Sequence, residues 1–368
     1  MPLLNSGIGN YIFSGGRKYS YFAGNNYLGL ANHPEVKAAA IESIKKYGVN
    51  FSASRRTTGT ADIHLELERQ LSVFKKTQDA IVYASGYQGN GILFEILKKR
   101  YSAVFIDQSA HPSIGKSIPR EVRDVYYYNH LDAAHLEWLL DKHKEKAPLI
   151  ITDGIFALTG EIAPLDEIYY LAEKHSALLI VDDAHSTGIL GKTGMGTPEY
   201  YSLQGKENIY QTETMSKALG SYGGFIAGTA ETIESIREGS TTYQASTALP
   251  PPVVAASIAS LKIIRENPEL RVQLLAKALE IRKSLGSLGF RTSEDNTPVI
   301  PIMVSSVTIA KALSLFLEEN GIIVPYIHYP VRTETFIVRI AVSVTHSIDQ
   351  TEELLCTLKN WKEKYGKD

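Results

Sequence analysis

Lys217 stands in the run TETMSKALGSYGG, with Thr214 and Ser216 before it and glycines after it. Asp182 and His185 stand in VDDAHSTG, where the apolar run ALLIV ends. A lysine amine flanked by hydroxyls, downstream of a carboxylate at a strand end, is a set that suits pyridoxal phosphate. That cofactor needs a lysine for its Schiff base, an acidic partner for its pyridinium nitrogen and donors for its phosphate. A carboxylate that keeps the ring nitrogen protonated makes the ring an electron sink, and Asp182 is the candidate. Asp183 points the other way on an extended backbone, and alternation alone leaves open which aspartate faces a ring. Without such partners, a lysine in a glycine-rich loop reads as a surface residue, and a motif this short also occurs by chance.

The elements that position these residues are legible. QDAIVYASG, SAVFIDQ, DVYYYN, APLIITDG, ALLIVDD, NIYQTE and GGFIAG read as strands. Between several of them lie amphipathic helices, such as LDAAHLEWLLDKHKEK and PLDEIYYLAEKH, with apolar residues three and four apart. Such alternation predicts an α/β fold with a mainly parallel sheet covered on both faces. Ligands of open α/β sheets lie at the carboxyl ends of the strands, which selects Ser85–Gly86, Asp107, Asp153, Asp182–His185 and Thr214–Lys217. No pair of dinucleotide-type glycine loops and no Walker lysine occurs there. Past LPPPVV a helical stretch, broken at Pro268, leads to PVIPIMVSS, VTIAKALSLFLEENG, IIVPYI, TFIVRIAVS and the helix DQTEELLCTLKNWKEK, a smaller α+β unit. The expected division is 1–40 as an N-terminal segment packing with the small domain, 41–252 as the large domain and 253–368 as the small one.

Composition excludes several alternatives. The chain has 368 residues, 44% hydrophobic and 21% charged, with formal charge −2 and no block of one sign. Nothing in it suggests a nucleic-acid groove or a polybasic membrane patch. The single cysteine, Cys356, rules out an internal disulfide framework and a cysteine-cluster metal site, and it suits a reducing cytoplasm. The opening MPLLNSGIGNYIFSGGRK lacks the basic start and long apolar stretch of a signal peptide. No run approaches the roughly 20 apolar residues of a membrane span. His64 reads as a packing residue and His346 as the cap of a strand-to-helix turn. His33, His130, His135, His143, His175 and His328 lack the spacing of a zinc site, so no metal is expected.

The stretches NNYLGL, SRRTTGTADIHLELE, SGYQGN, DQSAHPSI, DGIFALTGEIAPL, VDDAHSTGILGKTGMG, TETMSKALGSYGG, STALPP and FIVRIAVSVTH, in this order, give nearly the whole chain a resemblance to the α-oxoamine synthases. These are fold type I pyridoxal-phosphate enzymes, with a seven-stranded large domain and a smaller α+β domain. The resemblance implies an acyltransferase that joins an amino acid to an acyl-CoA, or to a thioester on an acyl-carrier protein, with decarboxylation to an α-aminoketone. It implies homodimers with shared active sites. Lys217 becomes the Schiff-base lysine and the base for the α-proton. His111 stacks on the ring, Asp182 rather than Asp183 pairs with the pyridinium nitrogen, and His185 bonds the phenolic oxygen. The phosphate falls to Ser85, Gly86 and Tyr87, where a helix start favours anions, to Thr214 and Ser216, and to Ser246 and Thr247 of the second subunit. STALPP alone reads as a helix entry. Arg339 holds the substrate carboxylate, as a bidentate arginine does well, with Asn25, or its neighbour Asn26, beside it. Arg55 is assigned to the acyl-donor entrance. The chain departs from the family pattern at Asp153, where many members have Glu, at Ala157–Leu158–Thr159, where they have Ser-Met-Asp or Ser-Met-Glu, and at Ile337, where Arg is common. The last leaves Arg339 alone. A fold type I aminotransferase, and a silent dimerisation scaffold, are the competing readings; the presence of Lys217 speaks against the scaffold.

Overall fold

A computed structural model describes residues 3–327 and 336–366; His328 lies outside them. All seven expected strands form: β1 (Asp79–Tyr83), β2 (Ala103–Asp107), β3 (Asp124–Tyr128), β4 (Pro148–Asp153), β5 (Leu178–Asp182), β6 (Ile209–Thr214) and β7 (Gly224–Gly228). They make one sheet in the order β1-β7-β6-β5-β4-β2-β3, with β7 running against both of its neighbours and the other pairs parallel. The fold is α/β. Both faces are buried, as parallel sheets require. Val104, Ile106, Leu149, Ile151 and Ile180 pack in one core with Ile92 and Leu93, while Ala103, Phe105, Ile150, Leu179 and Val181 belong to a second core. Continuing this alternation along β5 carries Asp182 to the face of Ile180 and Asp183 to the face of Val181.

Five helices matter below: α1 (Pro34–Tyr47), α2 (Asp62–Lys75), α3 (Gly89–Leu97), α4 (Pro112–Ser117) and α5 (Pro251–Glu266). The chain divides into two compact units. The larger comprises 34–156 and 162–266; the smaller comprises the described residues of 1–33, 157–161 and 267–368. This differs from the expected boundaries at 40/41 and 252/253, because α1 and α2 each pack against α5. Val254, Leu261 and Ile264 of α5 are buried, so that helix completes the larger unit.

The smaller unit holds an antiparallel sheet of β8 (Val299–Val304), β9 (Tyr326–Ile327) and β10 (Phe336–Ala341), with β10 central. An N-terminal hairpin, Tyr11–Ser14 with Arg17–Tyr21, takes Ile322–Ile323 as a parallel third strand. His346 fastens this unit. Its Nδ1 accepts from the Ser343 N–H at 3.0 Å, its Nε2 lies 2.9 Å from the Tyr21 carbonyl, and its ring stacks on Phe22 at 3.9 Å. The Nδ1 bond requires the neutral ring, and burial pushes its pKa from 6.5 down to about 4 although the bond to the Tyr21 carbonyl opposes this. The unfolded chain therefore takes the proton first as pH falls. This contribution is complete above pH 6.5 and is lost progressively toward pH 4, by about 3 kcal/mol. The expected result is a fall in the denaturant midpoint across that window that is clearly smaller in His346→Gln; equal slopes in the two proteins would refute it.

Candidate active site

At the carboxyl ends of β1, β4, β5 and β6 lies a cavity of about 180 Å³, lined by Ser85, Gly86, Tyr87, His111, Ser113, Asp153, Asp182, Ala184, His185, Thr214, Ser216 and Lys217. Ten residues singled out by name in the sequence thus meet in one place, although they come from segments more than a hundred positions apart. Parallel register explains the centre. Asp153 pairs with Asp182, and Asp182 with Thr212, so β4 and β5 end level with one another and β6 runs two residues further, to Thr214.

Asp182 is buried and held on both oxygens. Its Oδ1 accepts from the Ala184 N–H at 3.2 Å and its Oδ2 from the Asn90 amide at 2.8 Å. Beside it, Asp153 accepts the His111 backbone N–H at 2.8 Å. Burial, and then the Asp182 charge, push the Asp153 carboxyl well above the usual carboxylate range, while the His111 N–H pulls it down. Two adjacent negative charges at the strand ends are what this direction disfavours. Asp183 has a different job. It accepts from the Thr197 hydroxyl at 2.6 Å, the Thr197 N–H at 3.0 Å and the Gln211 amide at 2.9 Å. Gly196 crosses so close to this carboxylate that a Cβ there would strike Asp183 Oδ2, and its φ of 106° is one that only glycine adopts freely. Asp183 thereby closes the loop that carries His185.

The same loop is tied from below by groups that sequence reading missed. Lys75, fully inside, bonds the Met195 carbonyl and stands 2.7 Å from Glu213 Oε1, and Glu213 Oε2 accepts the Thr187 hydroxyl at 2.8 Å. Burial raises Glu213 to about 7 in spite of Lys75. Lys75 ends an amphipathic helix, where a lysine reads as solvent-facing; only the β-sheet pairing reveals its partner.

His111 opens α4 as its N-cap. Its Nδ1 accepts the Ser113 N–H at 3.2 Å and lies 2.7 Å from the Ser113 hydroxyl. An accepting Nδ1 assigns the neutral tautomer with the proton on Nε2. Burial lowers its pKa; Asp182 opposes this, and Lys217 and Lys116 add to it. Lys217 sits in a loop locked by its own backbone. Met215 N–H bonds Gly223 O, Ser221 N–H bonds Met215 O and Gly220 N–H bonds Lys217 O, each at 2.9 Å. The turn Gly86–Gln88 is capped by Ser85, whose Oγ accepts the Tyr87 N–H at 3.3 Å while the Gln88 side chain accepts the Ser85 N–H at 3.3 Å. Gly86 lies against Thr214, where a Cβ would come within 2.8 Å of the Thr214 Cβ. The turn and the lysine strand can meet only through glycine. Thr214 and Ser216 hydroxyls lie 2.6 Å apart.

Two assignments look different in the structure, those of Ser246 and Arg55. Ser246 accepts from Gln88 at 3.0 Å and gives its one hydrogen to the Thr242 carbonyl at 2.7 Å; as placed, it has no hydrogen left for a phosphate. Thr247 forms a bridge with Ser54. Neither lines this chain's own cavity, and both are assigned to that of the second subunit. Arg55 makes a bidentate pair with Glu68 at 2.9 and 3.0 Å and reaches Thr60 with Nε at 3.0 Å, so its donors serve the fold. Asp107, a strand-end carboxylate, is likewise spent on His130, Ser109 and Leu131. In the smaller unit, Arg339 is 5% exposed in mid-β10 and bonds the Ala157 carbonyl at 2.7 Å, Asn25 Oδ1 at 2.9 Å and Tyr27 Oη at 3.3 Å. All three are neutral acceptors, and among the described residues no carboxylate pairs with this guanidinium.

The cavity's donor set fits pyridoxal phosphate: a lysine, a buried carboxylate on a strand end, an imidazole with its own N-cap anchor, and a capped turn with two hydroxyls beside it. Residues 18–358 match the family model of aminotransferase class I and II. The chain is 39% identical to the 8-amino-7-oxononanoate synthase of Thermoanaerobacter pseudethanolicus, over 100% of this chain and 92% of that protein. A serine palmitoyltransferase from S. paucimobilis, solved with a bound PLP–myriocin aldimine, superposes with TM-score 0.94 at 27% identity, covering 100% of this chain and 93% of that one. The 8-amino-7-oxononanoate synthase from Francisella tularensis superposes with TM-score 0.81 at 25% identity, over 94% and 98%. The chain belongs to the class I and II aminotransferase family, in its α-oxoamine synthase branch, and its cofactor is pyridoxal 5′-phosphate.

Proposed function

We propose that the enzyme is an 8-amino-7-oxononanoate synthase-type acyltransferase, joining alanine to a long acyl thioester such as pimeloyl-CoA. The observation that carries this reading is the meeting of Lys217, Asp182 and His111 at one set of strand ends, taken with full-length relatives of that name. When bound, the cofactor supplies a sink for the electron pair left at the substrate Cα. Lys217 would hold the cofactor through its Nζ, and that amine, once displaced by the substrate, would take the Cα proton. Asp182 keeps the proton on the ring nitrogen, and His185 is assigned to the ring oxygen. His111 is assigned to cover one ring face. A bond then forms between Cα and the acyl carbon, and the thiol leaves with a proton from solvent. The carboxylate departs as CO2, and Lys217 returns its proton to Cα.

Arg339, a buried cation with only neutral partners, is proposed to take the amino-acid carboxylate, with Asn25 steering its Nη2. An unpaired buried charge is costly, and a substrate anion would relieve that cost. The working enzyme is further proposed to be a cytoplasmic homodimer, with Thr247 serving the phosphate from the second subunit. Alanine, glycine and serine are each offered with and without pimeloyl-CoA. Thiol and CO2 release is expected only when both substrates are present, fastest with alanine. Arg339→Lys is expected to raise the amino-acid KM about tenfold or more with a smaller effect on kcat. Formation of a keto acid without any acyl thioester would instead identify an aminotransferase and overturn the proposal.

A further inference from the structure

Asn90 is completely buried at the second residue of α3, one turn after the capped Gly86–Gln88 segment. Nothing apolar explains it, and every polar atom it carries is committed. Its Nδ2 donates to Asp182 Oδ2 at 2.8 Å and lies 3.5 Å from Ser113 Oγ, and its Oδ1 accepts the Thr212 hydroxyl at 3.2 Å. A carboxylate oxygen accepts, so the NH2 end of the amide faces Asp182, and the Thr212 hydroxyl donates to the oxygen at the other end. Thr212 is itself the register partner of Asp182 on β6. The Ser113 hydroxyl in turn sits 2.7 Å from His111 Nδ1. A single buried amide therefore joins the strand-end carboxylate to the residue that anchors the imidazole.

We propose that Asn90 is a positioning residue that, through Asp182, fixes where the proton on the cofactor's ring nitrogen resides. The inference rests on the assignment of Asp182 as that nitrogen's partner. A hydrogen bond to the ionised carboxylate stabilises the charged form. With Asn90 in place, a lone pair of Asp182 Oδ2 is engaged by the amide N–H and the proton stays on the ring nitrogen. Without it, Asp182 Oδ2 is a buried acceptor with no donor from that side, and the ring proton is drawn toward it. The side chain is also free to leave its rotamer. Ser113 gives the arrangement a second arm: its hydroxyl donates to His111 Nδ1 and leaves a lone pair toward Asn90, so the imidazole and the carboxylate are set by the same amide.

The test uses holoenzyme reconstituted with PLP labelled with nitrogen-15 in the ring. In the native protein the ring nitrogen is expected at the protonated chemical shift. Asn90→Ala is expected to move that signal toward the neutral position and to release PLP about tenfold faster, the loss expected for one buried hydrogen bond to a charged group. Thr212→Val removes only the hydroxyl that orients the amide, and is expected to shift the signal the same way by less; it serves where Asn90→Ala does not fold. A purely structural Asn90 would lower the thermal midpoint and leave the nitrogen signal in place, which overturns the proposal, as does an unshifted signal in Thr212→Val. Asp182→Asn run alongside separates the two readings. If that variant too leaves the nitrogen unshifted, the assignment of Asp182 has failed; if it shifts and the Asn90 and Thr212 variants do not, the inference about Asn90 alone has failed.

Discussion

Lys217→Ala is expected to abolish turnover, by at least about 10³-fold, while the protein still folds and still admits PLP non-covalently. The size follows from the two tasks that fall on one amine, holding the cofactor and moving the Cα proton. Losing a positioned acid–base group alone costs roughly 10²–10⁴-fold. Folding should survive because the loop is closed through its own backbone. Met215, Gly220, Ser221 and Gly223 close it through backbone bonds, and Ala218 and Leu219 beside it are buried. The measurement is borohydride reduction followed by peptide mapping. The native enzyme should carry the cofactor mass on the peptide containing Lys217, and the alanine variant should carry none after the same treatment. An adduct on another lysine, or an unchanged absorption spectrum in the variant, would remove Lys217 from the mechanism.

Much of this arrangement was legible because it is local. The seven strands announce themselves as apolar runs, since both sheet faces are covered and every inward residue must be apolar. The strand-end polar residues stand out against that background for the same reason. Arg339 was conspicuous in FIVRIAV because a charge inside an apolar run needs a purpose. What was not legible depends on pairing between distant segments. Asn90 is an ordinary polar residue in SGYQGN until β5 arrives 92 positions later. Lys75 reads as a helix-terminal surface residue until Glu213 and Met195 surround it. Arg55 reads as a ligand-facing cation, yet Glu68, one helix away, consumes it. The short excursion 157–161 into the smaller unit leaves no trace in periodicity, because five residues are too few to show any.

Asp182→Asn is expected to keep the fold and the PLP link to Lys217 but to slow exchange of the substrate's α-proton by about 10²–10³-fold, the usual loss when one fixed electrostatic stabiliser is removed. The amide is nearly the same shape and its oxygen can still accept from Asn90, the one bond given up being the longer one from the Ala184 N–H. What it lacks is the negative charge that holds a proton on the ring nitrogen, and a neutral ring is a poorer electron sink. Asp183→Asn provides the contrast within the same dipeptide. That carboxylate accepts two bonds from Thr197 and one from Gln211 on the opposite sheet face, where an amide NH2 would confront donors. Its substitution should lower the unfolding midpoint and loosen the loop bearing His185, while the ring nitrogen keeps its proton. Exchange of the alanine α-proton for deuterium, followed by NMR, together with thermal denaturation, separates the two. If Asp183→Asn loses proton exchange with full stability and Asp182→Asn does the reverse, the roles drawn from strand alternation are exchanged and the site must be rebuilt around the other aspartate.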